Sequence, residues 1–95
     1  MRESTIEDYL KRRVNETGGF MRKAKWLDRR GAPDRLVWWP FHSERRDAFV
    51  ELKRPGKKAE AYQAREHDRL RAGGFRVFVI DTLEGVDAFV QEMTA

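Results

Sequence analysis

The chain has 95 residues, 40% hydrophobic and 38% charged, with no cysteine. That length bounds it to one domain with a modest core, and the lack of cysteine excludes disulfide staples and thiolate metal sites. The formal net charge is +4, but residues 77–95 hold four acids and no Lys or Arg, so all 20 basic residues fall in residues 1–76 against 12 acids. Such clustering suits a polyanionic partner, because each neutralised phosphate releases condensed counterions. A solvated basic surface has the same composition. Residues 1–20 carry charges throughout, which leaves no apolar run for a signal peptide or a membrane span. An intracellular, cytoplasmic chain with no membrane partner is therefore expected.

In chain order, Ser4-Thr5-Ile6-Glu7 has the pattern of a capping box, with Ser4 as N-cap and Glu7 at N3. Ile6, Tyr9, Leu10 and Val14 then recur at helical spacing until Gly18-Gly19. Phe20 to Trp26 reads as a first strand, and Arg29-Arg30-Gly31-Ala32-Pro33 as a turn. Leu36 to Trp39 reads as a second strand closed by Pro40, His42 to Asp47 as a hairpin loop, and Ala48 to Lys53 as a third strand. Pro55-Gly56 breaks the chain, and a polar helix is expected from about Ala59 to Ala72, stopped by Gly73-Gly74. Phe75 to Ile80 is a nearly unbroken apolar run, as in a strand covered on both faces. Thr82 can cap a last helix with a Val86, Phe89, Val90, Met93 stripe. The order αβββαβα predicts an α+β fold, a mixed sheet with helices packed on it rather than a doubly wound parallel sheet.

Glu51 and Lys53 stand two apart on the third strand, so they share one face with Phe49, while Val50 and Leu52 point to the other. Alone, the two could form an ordinary ion pair. Asp34 lies 17 positions before Glu51, at the start of the preceding strand, and a hairpin can bring those carboxylates together. Two carboxylates repel unless a cation lies between them, and magnesium is commonly held by one or two carboxylates plus substrate phosphate. Alone, Asp34 would pass for a turn residue. Glu7 borders the apolar face of the first helix, and Gln63 shares a helical face with His67 and Leu70. His42 and His67 suggest no zinc site, since no His/Cys cluster accompanies them. Arg29 and Arg30 precede the acids, and Arg54, Lys57 and Lys58 follow them, as along a phosphate track.

Gly31-Ala32-Pro33-Asp34 followed by Glu51-Leu52-Lys53 resembles the PD-(D/E)xK nuclease signature. With Glu7 and Gln63 added, the chain resembles the short stand-alone VRR-NUC domains of phages and bacteria, from about Ser4 to Val90. The resemblance implies a restriction-endonuclease-like core and a nuclease that hydrolyses DNA, branched DNA above all (flaps or four-way junctions). It implies Mg2+ or Mn2+ on Asp34, Glu51 and the main-chain carbonyl of Leu52, with Glu7 at the edge, and no small-molecule cofactor. Lys53 would orient the attacking water, supported by Gln63, while Arg29, Arg30, Arg35, Arg54, Lys57 and Lys58 would face DNA. The rival expectation is a binding module that keeps the fold and does not cut. Trp38 and Trp39 must face opposite sides of their strand. One can join the core, and the other, beside Phe41, would leave an apolar patch that a homodimer buries. Packing on Trp26 or Phe49 within one chain is the alternative.

Overall fold

A computed structural model describes residues 1–26, 28–40 and 44–95. The elements are α1 (Glu3–Glu16), β1 (Phe20–Lys23), β2 (Arg35–Trp38), β3 (Asp47–Leu52), α2 (Ala61–Ala72), β4 (Val77–Ile80) and α3 (Leu83–Thr94). The four strands lie in the order β1-β2-β3-β4. β1 and β2 pair antiparallel, as do β2 and β3, while β3 and β4 are parallel with α2 as the crossover between them. The mixed sheet with flanking helices is the α+β architecture expected from the sequence.

One face of the sheet presents Val37, Trp39, Ala48, Val50, Leu52 and Ile80 to the inner sides of α1 (Ile6, Leu10, Val14) and α3 (Val86, Phe89, Val90, Met93), all of them buried. Burying each such side chain contributes about 1.5–3 kcal/mol. Trp39 is fixed twice over: its ring packs on Phe89 at 5.8 Å, and its Nε1 donates to Thr17 Oγ1 at 2.9 Å. Thr82 caps α3 as expected, its hydroxyl accepting from the Gly85 amide at 2.9 Å.

Several boundaries depart from the sequence reading. α1 begins at Glu3 with Arg2 at the N-cap and no side-chain cap, so the Ser4–Glu7 capping box does not form. The Glu7 carboxylate instead meets Arg35, and a charge-assisted bond to a buried guanidinium outcompetes a solvent-exposed cap. β1 ends at Lys23, three residues before Trp26, where the chain turns and the Trp26 indole donates to the Pro33 carbonyl at 2.8 Å. Asp47, expected in the hairpin loop, opens β3 opposite Trp38, while Phe41 and His42 lie outside the described residues. α2 begins at Ala61, two residues later than expected. β4 is not covered on both faces: Phe75 precedes it and is 41% exposed, and Val79 is 38% exposed, because α2 shields only part of that side. Trp38 is half-buried and stacks on Phe20 at 5.5 Å, with neither Trp26 nor Phe49 as its partner.

The tightest backbone approach in the core is at Gly19, where an added Cβ would lie 2.7 Å from Trp39 Nε1 and 2.9 Å from Val14 Cγ1. Gly19→Ala should therefore cost about 1–3 kcal/mol in denaturant unfolding, the range of overpacked cores. A wild-type midpoint for this variant would show that the α1–β1 corner yields freely.

Candidate active site

Because β2 runs antiparallel to β3 and β4 runs parallel to it, the start of β2, the ends of β3 and β4, and the end of β1 meet at one edge of the sheet. Asp34, Arg35, Glu51, Leu52 and Lys53 all lie there, and the Glu7 turn of α1 crosses the same end. Glu51 is buried at 8% exposure and Leu52 at 2%, whereas the Asp34 side chain remains half-exposed.

Burial foremost, and then the nearby Asp34 charge, push the Glu51 carboxyl up to about 7, with Lys53 pulling the other way. A carboxylate so placed lacks a cation. Lys53 Nζ is 4.0 Å from Glu51 Oε2 but only 2.8 Å from Gln63 Oε1, so its closest partner is a neutral amide. The same Gln63 oxygen accepts from the Glu60 amide at 2.8 Å, which ties the lysine to the first turn of α2.

The loop bearing Asp34 is pinned to that turn. Gly31 has φ +90°, and a Cβ there would sit 3.0 Å from the Tyr62 carbonyl and 3.1 Å from Gln63 Cα, so glycine alone permits the contact. Arg30 stacks over Tyr62 at 4.2 Å and Arg29 meets the buried Glu66 at 3.6 Å. On the far side, Gly56 donates to Asp81 Oδ2 at 3.2 Å, holding the Arg54–Lys57 turn against the end of β4. Arg54, Lys57 and Lys58 are exposed.

Arg35 corrects an expectation. It was placed among the DNA-facing cations, yet its side chain is 5% exposed and bridges Glu7 and Asp34, the latter at 2.8 Å. The strand period carried the signal: Arg35 shares a face with Val37 and Trp39, and a cation on the core side of a strand must be paired. His67, set aside as part of a charged helix, is buried at 1% exposure, and burial lowers its basicity. The buried Glu66 was likewise missed, since the polar sequence of α2 hides which side meets the sheet.

Among the described residues no three acidic or imidazole groups gather into a closed metal cage. The donor set nevertheless suits magnesium, which keeps several waters and takes only one or two carboxylates from the protein. Asp34 and Glu51 supply that pair, and their mutual repulsion is what a cation would relieve.

The raised Glu51 pKa has a consequence for stability. The folded metal-free chain holds this proton up to about pH 7, while an unfolded glutamate releases it near 4.5. The stabilisation from this group is therefore fully present below about 4.5 and lost as pH rises through 7, amounting to about 3 kcal/mol. Glu51→Gln in EDTA should gain on wild type by about that amount across this window in denaturant unfolding. Parallel curves would mean that Glu51 titrates normally.

No family profile matches the chain. A solved structure described as "VRR_NUC domain" superimposes with a TM-score of 0.82 at 37% identity, covering 94% of each chain. A protein of Acyrthosiphon pisum secondary endosymbiont phage 1, named "Putative nuclease p44", is 45% identical over 82 residues, 86% of this chain and 85% of that protein. Agreement of this extent, on a fold that gathers Asp34, Glu51 and Lys53 at one sheet edge, makes the chain a member of the VRR_NUC family of nucleases.

Proposed function

We propose that this chain is a divalent-metal-dependent endonuclease that hydrolyses DNA phosphodiester bonds, acting on branched or structured DNA as a homodimer. The observation that carries the reading is a buried, proton-holding Glu51 beside Asp34, with a lysine one residue beyond the strand held by an amide. Mg2+ or Mn2+ would be held by Asp34, Glu51 and the main-chain carbonyl of Leu52, with Glu7 at the edge through Arg35. When bound, such an ion supplies Lewis-acid polarisation and offsets the charge that develops at phosphorus.

Hydrolysis adds water across one P–O ester bond: the water oxygen bonds to phosphorus, the ester oxygen leaves, and the water proton ends on that oxygen. Lys53 serves this by orienting the water and by placing positive charge beside the phosphate oxygens. Gln63 fixes the direction of the Lys53 ammonium without neutralising it, because an amide oxygen accepts a hydrogen bond and carries no net charge. Arg54, Lys57 and Lys58 supply phosphate contacts on one flank, which position a strand without reading its sequence. The dimer reading is supported by the aromatic surface that α2 leaves open, where Phe20 and Phe75 are 40% and 41% exposed.

Glu51→Ala and Lys53→Ala should each lower cleavage about 100-fold or more while the fold is retained, and only Glu51→Ala should also abolish Mn2+ binding by calorimetry. The assay uses labelled linear, flap and four-way-junction DNA with Mg2+, Mn2+ or EDTA. Wild-type cleavage by either variant overturns the site, and wild-type chain that binds these DNAs but leaves them intact with both ions favours the non-cutting module. Sedimentation addresses the dimer: a single 11.3 kDa species, with and without DNA, rules it out.

A further inference from the structure

A second feature lies at the same sheet edge, on the α1 side of β1. A cavity of about 240 Å³ opens there, lined by Glu7, Lys11, Met21, Arg22, Lys23 and Arg35. Its charges are unequal. Glu7 is already engaged by Arg35. Arg22 is directed elsewhere, its guanidinium donating to the Met21 carbonyl at 2.8 Å and lying over the Phe20 and Trp38 rings at 5.7 and 5.5 Å. Lys11 and Lys23 remain, and among the described residues neither has an ion-pair partner.

The two lysines are brought together from different elements. Lys11 follows Glu7 by one turn of α1, and Lys23 ends β1 directly opposite Arg35 in the sheet register. The Arg35 guanidinium beside them is 5% exposed and engaged by Glu7 and Asp34, so it holds the Glu7 carboxylate in the wall and leaves the two lysines as the free cations. Two unpaired ammonium groups on the rim of a cavity, with Glu7 held by Arg35 in its wall, form a concave and cationic site whose free donors are the two lysines. Such a site is the complement of a phosphate group.

We infer that this pocket is a phosphate-binding subsite, taking one backbone phosphate of the DNA strand beside the one that is cut. The inference rests on the nuclease reading and adds to it a second flank. Lys23 belongs to β1, Asp34 leads into β2, Glu51 belongs to β3, and Arg54, Lys57 and Lys58 follow β3. The carboxylates thus stand between two cationic flanks, with β1 and β3 about 10 Å apart. A strand lying across the sheet edge meets Lys11 and Lys23 on one side of the acids and Lys57 and Lys58 on the other.

The convergence of two lysines on one phosphate gives the test its edge. In the Lys53→Ala background, which keeps bound DNA whole, labelled DNA is titrated by anisotropy at several salt concentrations. Lys11→Gln, Lys23→Gln and the double variant are compared, with melting curves to check the fold. One shared phosphate predicts that the double variant lowers the slope of log affinity against log salt by roughly 1, for all sequences alike, with the single variants less than additive. An unchanged slope overturns the pocket. So does an additive loss of roughly 2, which means two separate surface contacts.

Inorganic phosphate gives a reading that does not depend on DNA. Amide shifts at Lys11, Met21 and Lys23 on phosphate addition, absent from the double variant, are expected, and their absence in the parent chain overturns the pocket. Wild-type chain that neither binds nor cuts any DNA overturns the nuclease reading and this inference together.

Discussion

The arrangement depends on one buried guanidinium. Arg35 stands on the core side of β2, where an unpaired charge would be costly, and it is paired with Glu7 from α1 and with Asp34, the residue just before the strand. Breaking such a buried bridge by removing one partner is expensive, because the other charge is left without compensation. The bridge therefore fixes the α1 packing angle and the Asp34 position at once. It engages Asp34 through Oδ2, so one arginine organises the acidic side of the site while remaining hidden from solvent.

Opposed to it is a carboxyl group with too little compensation. Glu51 lies in the sheet edge with Asp34 nearby, and the 4.0 Å approach of Lys53 does not offset its burial. Had Lys53 closed onto Glu51, the two would form an ordinary strand ion pair. Gln63 prevents that by drawing the ammonium away at 2.8 Å. The contrast is between an acidic pair held by Arg35 and a Glu51 whose burial no cation offsets.

Much of the fold was legible because its signals are periodic. Val50 and Leu52 facing the core, the α3 stripe and the Thr82 cap follow from spacings of two and of three to four residues, and the Glu51–Lys53 pairing of faces followed from the same strand period. What escaped was set by partners remote in sequence. The Ser4–Glu7 box was a sound local reading, defeated by an arginine 28 residues away from Glu7. Arg35 is a cation beside the acids and so reads as DNA-facing, although its strand phase places it inside. Glu66 and His67 sit on a helix of low amphipathicity, where sequence gives little indication of which side is covered. Beyond the end of β1 the Trp26 indole reaches Pro33, a contact that no local pattern announces.

The crossover through α2 has a consequence for how the molecule comes together. β2 and β3 are neighbours in sequence and need only a hairpin closure, so Asp34 and Glu51 can meet early in folding at small entropic cost. The parallel β3–β4 pairing and the docking of α1 on Arg35 close longer loops, at a higher entropic cost. Lys53 and Gln63 are only 10 residues apart and need no such closure, whereas Glu7 reaches Arg35 across 28. By loop length alone, the two acids and the aimed lysine can gather without the α1 group that steadies Asp34 through Arg35. The group that arrives across a long stretch of chain is thus the one that locks the acidic side in place, and the sheet edge is complete only when the first helix closes on it.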